Sequence, residues 1–366
     1  MKFKKLISLS LTMIVSAGIL VGCGSSDGDS ATEGKIKVGM ITDVGGVHDE
    51  SFNQSSWEGL QAIQKELGKD KLDVNYLEST QDSDYKPNIE QFVEDEYDLI
   101  IGVGYKLANE LETAAKNYPD QEFAIIDHVY DNQPENITSL SFESNESSYL
   151  AGLIAGKSTK TNKVAFIGGQ QSPVIDKFEY GFKAGVLAAN PDAEVLVQYS
   201  NSYSDQALGK SIANSMISKG ADVIFPCAGA CGTGAIEAVK EANKMSVGVD
   251  RDQYDLAPDN MLTSAMKNID VAVANLVRDF VNGDYKGGEL KNGTLANNGV
   301  GLASTTDKNV SEKILKYVDE TYPVNAATSE EVDINNINKN DEQAQEIKDG
   351  KIKVPSNEKE LKEFNK

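Results

Sequence analysis

Short apolar runs alternate with longer amphipathic segments along most of the chain. The runs at residues 35–41, 72–77, 99–103 and 123–126 are rich in Val, Ile and Leu, as strands covered on both faces would be. Between them, residues 57–67 and 107–117 repeat apolar side chains every three or four positions, and Tyr118-Pro119-Asp120 closes the second of these helices. After a helical stretch at 147–156 the pattern starts again, with strands at 164–167, 195–198, 223–225 and 246–249 separated by helices at 178–189, 207–219 and 234–243. Strand and helix in alternation predict an α/β fold with parallel sheets flanked by helices. Two runs of similar size predict two similar lobes, 35–145 and 146–269. The amphipathic helix at 271–281 opens a segment, near 270–303, expected to complete the first lobe.

The ends follow neither pattern. Lys2, Lys4 and Lys5 precede an apolar run at 6–21, which at roughly 16 residues is short for a spanning helix. Leu20-Val21-Gly22-Cys23 resembles the lipobox of bacterial lipoproteins. Residues 1–22 then read as a signal peptide, Cys23 as the lipidated residue, and 23–34, with its GSSDGDSATEG, as a flexible tether. At the other end, 304–366 is expected to hold C-terminal helices and an Asn- and Glu-rich peripheral segment at 329–349.

Composition narrows the function. The chain has 366 residues, 40% of them hydrophobic, enough for two domains with cores of their own. Against 57 Asp plus Glu there are 35 Lys plus Arg, and a formal charge of −22 repels a phosphate backbone, so no nucleic acid is expected as a partner. Three cysteines are too few for a disulfide scaffold. Gly156-Lys157-Ser158 and Gly209-Lys210-Ser211 lack the earlier glycine of a phosphate-cradling loop, and Leu107 stands where a dinucleotide fingerprint would have its third glycine. No GxSxG occurs, and His48 and His128 are the only histidines available as a base. His48, Asp49, Asp127, His128, Cys227 and Cys231 fall near predicted strand ends, yet no HxH, HExxH or CxxC spacing supports a metal centre. No cofactor is expected. Cys227 and Cys231 read as two small buried thiols, a disulfide between them being the alternative.

The densest chemistry lies at 42–59, TDVGGVHDESFNQSSWEG, between the first strand and the first helix. In an open α/β sheet that loop sits at the carboxyl end of a strand, where ligands bind. The segment resembles the signature of the basic membrane protein family, the purine nucleoside receptor lipoproteins: an Asp or Asn after strand one, a Gly, an acidic pair, Ser-Phe-Asn, and an aromatic-x-Gly. Later motifs agree in order: Phe123-Ala-Ile-Ile-Asp127, Phe166-Ile-Gly-Gly169, Phe178-Glu-Tyr-Gly-Phe182, Ala221-Asp-Val-Ile-Phe225 with Ala228-Gly-Ala-Cys-Gly-Thr-Gly234, and Gly248-Val-Asp-Arg-Asp-Gln253.

That resemblance implies a two-lobed fold like the type I periplasmic binding proteins, several hinge crossings, and a ligand cleft between the lobes. It implies that Phe52 and Phe225 sandwich the base, although a Phe at the end of a strand is also what core packing would place at 225. Asp43 and Asp127 would meet the base edge, a carboxylate being acceptor-only; capping a turn is the plain alternative for both. Asp250 and Lys267 would hold the ribose, and Gly232 would let the backbone approach the sugar. Ser51, Asn53 and Phe178 complete the expected lining, with Trp57 either beside them or in the core. The function so implied is a substrate-binding lipoprotein on the extracytoplasmic face of the cell membrane. It would act as a monomer that captures purine nucleosides for the permease and ATPase of an ABC importer, and would not be an enzyme. Alternatives are a receptor for another neutral solute such as a sugar, a nucleoside-processing enzyme, and a ligand-sensing adhesin or antigen.

Overall fold

The computed structural model describes residues 34–321 and 353–364. The expected signal peptide, Cys23, the tether before Gly34 and the peripheral segment at 329–349 lie outside the described residues. Among the described residues, no helix is long and apolar enough to cross a membrane.

Two six-stranded sheets repeat one plan. In the first, β1 (Ile36–Ile41), β2 (Leu72–Leu77), β3 (Leu99–Val103), β4 (Glu122–Ile126) and β5 (Ile137–Phe142) are joined by helices α1 (Phe52–Leu67), α2 (Tyr85–Glu94) and α3 (Ala108–Asn117). In the second, β6 (Lys163–Gly168), β7 (Glu194–Tyr199), β8 (Val223–Cys227), β9 (Met245–Asp250) and β10 (Met261–Lys267) alternate with α5 (Pro173–Ala189), α6 (Gln206–Ser218) and α7 (Gly229–Glu241). Helix α4 (Ser144–Ser158) precedes β6, α8 (Ile269–Asn282) follows β10, and the remaining elements are β11 (Leu290–Gly293), β12 (Val300–Leu302), α9 (Glu312–Thr321) and α10 (Glu358–Phe364). Across the first sheet the strands run β2-β1-β3-β4-β5-β11; across the second, β7-β6-β8-β9-β10-β12. Every pairing is parallel except β10 with β12.

The segment after α8 divides between the sheets. Strand β11 adds to β5 of the first, while β12 adds to β10 of the second. The chain therefore passes from one sheet to the other three times, near Glu143, Asn268 and residues 294–299. Helix α8 lies against α1, where a side chain on Gly59 would strike the Asp270 carbonyl at 2.4 Å.

The central strands β3 and β8 are buried along their whole lengths, which explains their unbroken apolar sequences. Strands β5 and β10 escaped the apolar pattern because hydroxyls share their interior: Thr138, Ser139, Thr263 and Ser264 are almost fully buried. Folding brings these groups partners from distant parts of the chain. Thr138 donates to the Lys286 carbonyl at 3.0 Å, and the hydroxyls of Thr263 and Thr306 meet at 2.7 Å. Helix α4 is buried nearly all round, its Ser144, Asn145, Ser147 and Ser148 included, because it is sandwiched, packing on α5 through glycines.

Candidate functional site

The carboxyl ends of both sheets converge on one cleft. The first lobe contributes Asp43 and Gly45 after β1, Phe52 at the head of α1, Gly104, Tyr105 and Lys106 after β3, and Asp127 after β4. The second contributes Phe178 from α5, Tyr203 after β7, Cys227 at the end of β8, Asp250 at the end of β9 and Lys267 at the end of β10.

The loop at 42–59 is organised by carboxylates. Asp49 accepts the backbone N–H groups of Ser51 and Asn53 at 2.9 Å each and of Gln54 at 3.1 Å, so it caps α1 and starts that helix at Phe52, one turn and more before the apolar periodicity begins. The Asn53 amide donates to Asp43 at 2.7 Å and to Asp49 at 3.0 Å, and its oxygen accepts the Asp43 N–H at 3.2 Å. Gly45 N–H completes the ring of donors on Asp43 at 2.9 Å. Burial pushes the Asp49 carboxyl up to about 6 and raises Asp43 as well, against the pull of these hydrogen bonds.

Asp127 and Asp250 occupy equivalent places in the two lobes, each at the C-terminal end of the fourth strand counted in chain order. Both adopt φ of +66°, the left-handed region that Asp tolerates better than most residues, and both carboxylates line the cleft. Asp127 forms an ion pair with Lys267, which reaches over from the other lobe and is 1% exposed. The Lys267 ammonium also lies 4.8 Å from the ring centre of Phe52, 5.4 Å from that of Phe142 and 5.6 Å from that of Phe178. Asp250 accepts from the Ser51 hydroxyl at 2.6 Å. Burial raises the Asp250 carboxyl to about 6, opposed by Lys267 and by the Ser51 hydrogen bond.

Six of the residues expected at the site therefore line it: Asp43, Phe52, Asp127, Phe178, Asp250 and Lys267. Ser51 and Asn53 stand one layer back, holding Asp250 and Asp43. Phe225 needs correction: it is fully buried in the core, edge-on to Phe166 at 5.5 Å and Phe178 at 6.3 Å, with Phe182 at 5.2 Å. The second cleft aromatic is Phe178, which Phe225 supports from behind. Gly232 also does not line the cleft. It lies inside α7, where an added Cβ would come within 3.3 Å of the Pro226 carbonyl. Trp57 packs edge-on against Tyr76 at 4.9 Å. Cys227 and Cys231 are both free and buried, and Cys227 reaches the cleft.

Among the lining residues that the sequence did not point to are Tyr105, Lys106, Val174 and Tyr203. The first two directly follow β3 and Gly104, a strand-end position that could have found them. Tyr203 carries no such signal in its polar loop. It is seated because Gly169 has no side chain: a Cβ there would lie 2.1 Å from the ring. The Tyr105 and Tyr203 hydroxyls meet across the cleft at 3.4 Å. Among the described residues, no group of three or more His, Cys, Asp or Glu is arranged to hold a metal ion.

Known proteins resemble this chain along most of its length. The CD4+ T-cell-stimulating antigen of Listeria innocua is 42% identical over 341 residues, 87% of this chain and 95% of that protein. The ABC transporter nucleoside-binding protein BmpA of Lactococcus lactis is 40% identical over 82% of this chain and 91% of its own. Among solved structures, an ABC transporter system solute-binding protein from Aeropyrum pernix superimposes with a TM-score of 0.76 at 26% identity, covering 90% of this chain and 98% of that one. The sequence model of the Bmp family, described as ABC transporter substrate-binding protein PnrA-like, matches residues 36–359, and the chain belongs to that family of ABC transporter substrate-binding proteins.

Proposed function

We propose that the ligand of this substrate-binding protein is a purine nucleoside, captured in the cleft and passed to the permease of an ABC importer. The observation that carries the reading is the pairing, in one cleft, of two aromatic rings from opposite lobes, Phe52 and Phe178, with carboxylates from both strand ends. Flat rings suit a heteroaromatic base, at about 1 to 3 kcal/mol per stacked base. Carboxylates accept from ring N–H groups, exocyclic amines and ribose hydroxyls. In this reading Asp43 and Asp127 face the base, and Asp250 and Lys267 face the ribose. A free sugar would employ the carboxylates but has no base to set against the rings. The Lactococcus lactis relative, named as a nucleoside-binding protein, supports the nucleoside reading. Anchoring through a lipid on Cys23, on the extracytoplasmic face, follows from the Leu20–Cys23 motif.

Mass spectrometry of the small molecule that co-purifies with the protein tests the ligand. A purine nucleoside is expected, and a sugar in its place would overturn the assignment. Palmitate labelling tests the anchor: label is expected on the wild type and should be absent from Cys23→Ser.

A further inference from the structure

On one flank of the cleft the two lobes are joined by side chains that do not line it. Arg251, directly after β9, donates to Glu50 at 2.7 Å and to Glu58 at 3.0 and 3.2 Å, so one guanidinium bridges two carboxylates of the other lobe. Two positions on, Gln253 is 3% exposed and wedged in the second lobe by its oxygen, which accepts the Val249 N–H at 2.9 Å. Its amide nitrogen crosses the gap to the Glu50 carbonyl at 2.7 Å. Glu50 adopts φ of +53°, a conformation a non-glycine residue rarely takes, and in it both its carbonyl and its carboxylate reach the second lobe.

These bonds bracket the site. Glu50 precedes Ser51, whose hydroxyl holds Asp250, and Arg251 follows Asp250. We infer that Arg251 is a positioning residue for ligand capture, which clasps Glu50 and Glu58 to hold the Asp250 strand end against the Ser51 corner and so sets how readily the lobes close. The inference rests on the cleft being the ligand site, but it does not depend on which ligand enters. A residue acting only through closure changes the competent fraction of the protein, and every ligand then loses the same factor in affinity. Partly exposed pairs are individually weak, and the shared guanidinium raises the effect only modestly.

The test uses the full chain, stripped of ligand, as wild type, Arg251→Ala and the double variant Glu50→Gln with Glu58→Gln. Small-angle scattering without ligand is expected to show a larger radius of gyration in both variants. Stopped-flow measurements with adenosine, guanosine and inosine should show each bound about 3- to 10-fold more weakly, through faster dissociation, with the ratios among the three unchanged. Adding Arg251→Ala to the double variant should change nothing further. Raising the salt should speed dissociation from wild type and leave Arg251→Ala unaffected. Loss confined to one nucleoside would overturn the inference by making Arg251 a ligand contact, and unchanged scattering with unchanged dissociation would overturn it by leaving the clasp without effect. If no nucleoside binds, the proposed ligand is wrong, and the ligand-free scattering still decides the clasp.

Discussion

Asp127 and Lys267 are joined across the cleft, so replacing Asp127 alters two things at once. Asp127→Ala removes an acceptor proposed for the base, and hydrogen bonds to charged groups of about 1.5 to 3 kcal/mol set an expected loss of about 10- to 100-fold in nucleoside affinity. It also leaves the ammonium of Lys267 buried without its carboxylate, which should cost about 3 to 5 kcal/mol of stability. Calorimetry and urea unfolding separate the two effects: the pair Asp127→Leu with Lys267→Met should recover most of the stability and none of the binding. Asp250 makes a second, opposite-signed test. Its carboxyl is raised from 3.8 to about 6 by burial, so the ligand-free fold holds the proton more tightly than the unfolded chain does. The contribution of this group to stability is therefore greatest below the unfolded value and falls as pH rises through 4 to 6. Ribose hydroxyls donating to Asp250 favour its charged form, so binding should release a proton and weaken by about tenfold between pH 7 and pH 5. Asp250→Asn should flatten that pH dependence, and isothermal titration in buffers of different ionisation enthalpy would read the proton directly.

At the level of elements, the packing of α4 on α5 depends on residues with no side chain. A Cβ on Gly185 would lie 2.0 Å from the Tyr149 carbonyl oxygen, one on Gly181 would lie 2.3 Å from that of Asn145, and one on Gly152 would lie 2.4 Å from that of Phe182. Backbone cannot rotate aside as a side chain can, so the helices must separate. Gly185→Ala is expected to lower the unfolding free energy by about 1 to 3 kcal/mol or more. Gly301→Ala in β12, where nothing lies within 4 Å, should stay within about 0.5 kcal/mol of wild type. Chemical denaturation of both variants checks the contrast. Because α5 also carries Phe178 into the cleft, the Gly185 variant should bind nucleosides less well than its remaining folded fraction predicts.

For the whole molecule, the balance of charge at the cleft decides what can be enclosed. Four carboxylates, Asp43, Asp49, Asp127 and Asp250, face two cations, and both cations are already engaged: Lys106 with Asp82 at 2.8 Å and Lys267 with Asp127. A phosphate shut between the lobes would lose its hydration with no free cation among the described lining residues. Nucleoside 5′-monophosphates are thus expected to bind at least about 100-fold more weakly than the corresponding nucleosides, and equal affinities in paired titrations would count against this placement of the charges. Much of the fold could be read from the chain beforehand, because buried parallel strands require apolar runs and amphipathic helices require their period; eight strands were legible in this way. The strands with buried hydroxyls, β5 and β10, were not, since only the folded partners of Thr138 and Thr263 make those polar positions tolerable. At the site, local order along the chain placed Asp43, Phe52, Asp127 and Asp250 at strand ends or in the first loop, positions set by neighbours in sequence. The same reasoning could not tell Phe178 from Phe225, because both are aromatic residues near the cleft and only the packing of α5 over β8 determines which ring faces the ligand and which lies behind it. Nor could it foresee the Lys267–Asp127 pair or the Arg251 clasp: their partners stand 140 or more residues apart, and a contact between two lobes exists only once both sheets have formed.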